Sequence, residues 1–212
     1  MTIALVYVEH AGGAPDRVSL QSIAFARGLG AGVEAVVAGG PGAGVSGVAA
    51  ALGAHGVSTV HVVSDARLDA FAPVALGAIV AQLVGARAPA VVVGPGTERG
   101  NEVIAHAAAR LGQPMAANVL SAKAEGAGWR LSRQRWAGSL IEDARLEAEP
   151  GILTVAPHTT PVSEAPGAPA ATVVPLTPTL TDQDLRVRVT GDRKSTRLNS
   201  SHSAKSRMPS SA

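Results

Sequence analysis

The chain of 212 residues contains no cysteine, which removes disulfides, thiolate metal sites and cysteine nucleophiles from consideration. Aromatic residues make up only 2%, so there is little surface on which nucleic-acid bases would stack. Hydrophobic residues nevertheless reach 46%, and a core must therefore be built from Ala, Val, Leu and Ile. No apolar run approaches the length that spans a bilayer. Met1-Thr2-Ile3-Ala4 leads straight into an apolar segment, with no basic region or signal-peptide core before it. The expectation from these absences is a soluble cytoplasmic protein.

The formal charge of +2 is unevenly placed. Residues 192–212 hold Arg193, Lys194, Arg197, Lys205 and Arg207 against Asp192 alone, which is +4. Of 18 basic and 16 acidic residues, 13 and 15 remain for residues 1–191, a net −2. The basic character belongs to the tail, and a nucleic-acid-binding body is excluded.

What the chain has is strand-to-helix punctuation. Ala90 to Val93 is an apolar run that enters the turn Gly94-Pro95-Gly96-Thr97, and Val103, Ile104, Ala107, Ala108 and Leu111 then recur at helical spacing. Thr97 is placed to cap that helix, Glu98 and Arg110 suit its two ends, and Gly112 with Pro114 stops it. Three similar units precede it. Strands over Ile3 to Val8, Val33 to Ala38 and Thr59 to Val63 alternate with helices over Ser19 to Leu29, Val45 to Leu52 and Phe71 to Val84. The pattern predicts an α/β fold, a doubly wound, mostly parallel sheet of Rossmann-like or adenine-nucleotide-hydrolase-like type.

After Gly112 the pattern changes. Val119 to Glu125, Trp129 to Arg135, Gly138 to Ala148 and Ile152 to Ala156 read as strands of a short antiparallel addition. The expected organisation is an αβ domain over 1–156, a Pro/Thr-rich linker or strap over 157–184 and an alternating segment over 185–191, like the first strand of a new domain. Residues 192–202 resemble the translation of a common short-read sequencing adapter. The segment 192–212 is accordingly set aside as a non-native tail.

Candidate chemistry is sparse. Gly42-Ala43-Gly44-Val45-Ser46-Gly47 matches the dinucleotide fingerprint, with Asp65 at ribose-acid spacing, but it follows the second strand rather than the first. His10, His55, His61, His106 and His158 show no metal-ligand spacing, and His61 alternates within an apolar strand as a structural histidine would. Ser19, Ser46 and Ser64 lack the context of a nucleophile elbow. Glu142, Asp143, Glu147 and Glu149 lie near Arg133, Arg135 and Arg145, as charge balance on exposed strands requires. No catalytic, cofactor-binding or metal residue is assigned.

In order, these elements resemble the α subunit of the electron transfer flavoproteins over residues 1–191. Four stretches carry the likeness: Ala4 to Gly13, Gly94 to Gly112, Arg133-Gln-Arg-Trp-Ala-Gly-Ser139 and Gly151-Ile-Leu-Thr-Val-Ala-Pro157. Asn101, His106 and Asn118 stand where that family commonly has a basic residue, an arginine and an aspartate. The resemblance implies an electron carrier rather than a catalyst. The intact protein would take electrons from flavin dehydrogenases such as the acyl-CoA dehydrogenases of fatty acid β-oxidation and pass them to a quinone oxidoreductase. It implies FAD in a C-terminal domain beginning near Leu185, and a β subunit bound by this N-terminal domain in a heterodimer. Trp129 and Trp136, the only tryptophans, are candidate anchors for that contact, with packing within the sheet as the equally simple alternative. A free-standing adenine-nucleotide module of the universal-stress-protein type is the alternative, using the glycine turn Gly39 to Gly47 or Gly94 to Gly100. A small dehydrogenase using Gly42, Gly44 and Gly47 is a third reading.

Overall fold

The structure, a computed structural model, describes residues 2–189. In chain order the elements are β1 (Ile3–Tyr7), the two-residue arms β2 (His10–Ala11) and β3 (Ala14–Pro15), α1 (Arg17–Gly28), β4 (Gly32–Gly39), α2 (Val45–Leu52) and β5 (Val57–Ser64). Then come α3 (Pro73–Arg87), β6 (Val91–Pro95), α4 (Glu98–Leu111), β7 (Met115–Glu125), β8 (Gly128–Arg135), β9 (Leu140–Leu146), β10 (Gly151–Val155) and β11 (Thr172–Pro175).

Nine strands form one sheet in the order β11-β5-β4-β1-β6-β10-β7-β8-β9. From β11 to β7 every neighbouring pair is parallel, whereas β8 and β9 are antiparallel. Successive side chains feed two cores. Ala4, Val6, Val93 and Leu153 pack beneath α1 and α2, while Leu5, Val92 and Ile152 pack beneath α3 and α4. Both faces of the parallel strands are covered, so their sequences are continuous apolar runs. The doubly wound α/β architecture is as the sequence predicts.

One placement differs. The segment Ile152 to Ala156, expected in the antiparallel addition, forms most of β10, which inserts between β6 and β7 and runs parallel to both. All five residues of β10 are buried, and a strand apolar on both faces belongs in the covered interior rather than on a one-faced extension. The extension itself is the meander β7–β8–β9, which leaves the parallel sheet where Asn118 adopts φ 56 and the β7–β10 register shifts.

The helix signals act where they were read. Thr97 accepts the Gly100 N–H at 2.8 Å, and Gly112 ends α4 in the left-handed region at φ 64. In α3, Gly77 lies against α4, where an added Cβ would come 3.0 Å from the Ala107 nitrogen. That close approach lets the two helices share one layer.

Residues 157–189 wrap the body. The His158 N–H donates to Gln21 Oε1 at 3.0 Å, Arg27 donates to the Ser163 carbonyl at 3.2 Å, and β11 then adds to the β5 edge. Past the edge, Leu176, Leu180 and Leu185 settle on the α3–α4 core, and Asp184 pairs with Arg110. Residues 185–189 form no strand. Buried Asp184 accepts both the N–H and the hydroxyl of Thr181, which folds the chain into turns instead. Residues 190 and 191, and the adapter-like tail 192–212, lie outside the described residues.

Candidate functional site

Strand order reverses at β1: the chain passes to β4 and β5 on one side and returns to β6 on the other. Loops leaving the carboxyl ends diverge at such a point and open a crevice. Here it encloses about 360 Å³, with Tyr7 and Phe71 on its apolar side and Glu9, Asp16, Asp69 and Arg99 on its polar side.

Glu9 is tied into the fold at two points. Its N–H donates to Ser19 Oγ at 2.8 Å, and its Oε2 accepts the Thr97 hydroxyl at 2.8 Å. Its Oε1 is buried and has no partner among the described residues. Burial pushes the carboxyl above the usual range, against the Thr97 hydrogen bond, and neighbouring Asp16 adds to the rise. Burial, with Glu9 nearby, also raises the Tyr7 phenol. Tyr7 is 5% exposed, and its hydroxyl makes no hydrogen bond among the described residues. The Arg99 guanidinium lies over the Phe71 ring, 4.9 Å from its centroid.

Most glycines of the two glycine turns are closely packed. In the fingerprint loop, a Cβ on Gly44 would come 2.7 Å from Gly13 Cα, and one on Gly47 would come 3.4 Å from the Gly13 carbonyl. These glycines seat the β2–β3 arms. Asp65 accepts the Arg67 N–H at 2.9 Å and its Nε at 3.0 Å, so the acid proposed for a ribose is already paired. In the second turn, Gly94 makes room for Ile104, Gly96 for the Val155 carbonyl and Gly100 for the Pro95 carbonyl. A flavin dinucleotide needs backbone donors around its pyrophosphate. The crevice presents three carboxylates beside Arg99 and His10, so its lining does not fit that pyrophosphate and no redox step is assigned to it.

Of the remaining sequence candidates, His10 lines the crevice and His61 is tied into the fold. His61 and Glu34 are both buried and meet at 2.8 Å, and Arg87 Nε donates to the same carboxylate at 2.9 Å. Those bonds, that from Arg87 foremost, hold the Glu34 carboxyl below its usual range. His10 Nε2 lies 3.0 Å from the Ala38 carbonyl. Among the described residues no group of His, Asp and Glu could hold a metal ion, and no helix is long and apolar enough to cross a membrane. Asn101 accepts the buried Thr154 hydroxyl at 2.6 Å, and Thr154 in turn accepts the Asn118 N–H at 3.0 Å. Two of the departures from the family pattern are therefore parts of one polar link among α4, β7 and β10.

The two tryptophans separate. Trp129 is 8% exposed and fills the space that Gly151 leaves open; it is core, not an anchor. Trp136 is 78% exposed, beside Leu140 at 55% and Ile141 at 69%. It opens the β8–β9 turn with Ala137, both at φ 51, a conformation that costs a non-glycine residue about 1 kcal/mol or more. On the meander's outer face, Lys123, Arg130 and Arg145 stand side by side across three strands, with Glu125 paired to Arg130. Arg133 holds Glu142 at 2.6 Å, and Arg135 reaches it only at 3.8 Å.

No curated protein matches the chain. The family model of the electron transfer flavoprotein domain matches residues 4–180. With that match lying over the whole doubly wound body and its meander, the chain belongs to the electron transfer flavoprotein domain family.

Proposed function

We propose that this chain is the N-terminal domain of an electron transfer flavoprotein α subunit, and that its task is to dock a β subunit. The observation that carries this reading is the β8–β9 tip. Trp136, Leu140 and Ile141 are held out in solvent on a turn that strains two residues. A protein with so few aromatics gains nothing on its own from such an arrangement, and tryptophan is the residue most enriched among interface anchors.

In this reading FAD is held by sequence beyond the body described above. The assembled heterodimer carries electrons from flavin dehydrogenases to a quinone oxidoreductase, and this domain is scaffold. The nucleotide-module alternative has the crevice's position in its favour and the crevice's carboxylates against it. Co-expression with the cognate β subunit followed by gel filtration is the test. Co-elution at micromolar concentration is expected. Separate elution of two folded proteins contradicts the docking role and leaves the free-standing module as the better account.

A further inference from the structure

The crevice at the end of β1 is left without a role by the docking reading, yet its composition is unusual for this chain. Two of the five Phe, Tyr and Trp residues, Tyr7 and Phe71, line it. One oxygen at its wall, Glu9 Oε1, is buried and unsatisfied among the described residues, and the Tyr7 hydroxyl belongs to the same lining. Burying such atoms without partners is destabilising, and sites that do so are completed by a ligand or water. Both oxygens can accept a hydrogen bond, and an ammonium carries three donors and no acceptor. Around them Glu9, Asp16 and Asp69 outnumber Arg99, whose guanidinium already lies over Phe71.

We propose that this crevice is a binding site for a small aromatic amine, its ammonium donating to Glu9 and the Tyr7 oxygen and its ring lying along Tyr7 and Phe71. The volume of about 360 Å³ accommodates a fused ring with a short side chain. A ligand bearing a carboxylate or phosphate in the ammonium's place would meet three carboxylates, with Arg99, already over Phe71, as the one fixed cation among them. The site and the hairpin tip involve different residues, so neither proposal depends on the other.

Tryptamine and indole-3-acetate share a ring and differ in charge, which makes them the probes. Titrated into the full chain by calorimetry, tryptamine should bind with Kd below about 1 mM and indole-3-acetate at least about tenfold more weakly. Amide chemical shifts of Tyr7, Gly39 and Phe71 should move with tryptamine. Tyr7→Phe and Glu9→Gln, each checked for native circular dichroism, should weaken tryptamine by about fivefold or more. Equal binding of the two probes to the unaltered chain overturns the proposal, as does no tryptamine binding up to about 5 mM. Folded variants that bind tryptamine as the unaltered chain does overturn it as well. The charge comparison uses no variant and stands whether or not the variants fold.

Discussion

The parallel body and the antiparallel meander solve the same problem with different completeness. In the body, β1, β6 and β10 are buried on both faces between helix layers. Among its buried charged groups, Glu34 is paired with Arg87 and His61. In the meander, β9 is a sheet edge with exposed Leu140 and Ile141. Its charges are balanced by surface pairs such as Arg133 with Glu142. A sheet edge carrying large apolar side chains is the kind of surface that proteins otherwise suppress. The contrast is between parallel strands covered on both faces and an edge that leaves large apolar side chains in solvent.

Substitutions that separate the two regions sharpen the contrast. Leu153→Ala, in a wholly buried strand, should destabilise by about 2–5 kcal/mol in a denaturant titration. Ile141→Ala should change stability by no more than about 0.5 kcal/mol. Similar losses at both would erase the distinction. Gly77→Ala pushes a methyl into the α4 backbone and should cost about 1–3 kcal/mol, read as a lowered Tm.

Two glutamates should respond to pH with opposite sign. The Glu34 carboxyl is held below its usual range. Its stabilisation is full above the unfolded pKa of about 4.3 and is lost as pH falls through the lower folded value. Glu34→Ala orphans the buried His61 imidazole and should cost about 1–3 kcal/mol at neutral pH, and less in acid. Glu9 is raised by burial. Its contribution is present below the unfolded pKa and declines as pH rises through the folded one. Glu9→Gln should therefore stabilise the chain at pH 7 and make no difference below about pH 4. Urea titrations at the two pH values check both signs.

The body was legible in the sequence because its signals are local. Thr97, Glu98, Arg110 and Gly112 mark α4 within fifteen residues, and each acts where it was read. What was not legible depends on distant pairing. The parallel insertion of β10 between β6 and β7 joins segments some sixty residues apart. β11 is four residues of a Pro-rich tract whose strand character comes from the β5 edge it meets. The crevice has no sequence signature because Tyr7, the Asp69–Phe71 segment and Arg99 come from three parts of the chain and form no motif. Two of the three fingerprint glycines, Gly44 and Gly47, pack on Gly13, since spacing alone does not distinguish a phosphate from a neighbouring backbone. The family resemblance carried the function further than any residue did, and the match over residues 4–180 supports its general form.

The most direct test of the docking account is Trp136→Asn, measured for both stability and association. Asparagine tolerates the left-handed conformation that Trp136 is forced to adopt, so the isolated chain should be as stable as before or slightly more so. Its affinity for the cognate β subunit should fall by at least about tenfold. A variant that binds the β subunit as tightly as the unaltered chain would contradict the claim that this hairpin tip is the docking anchor.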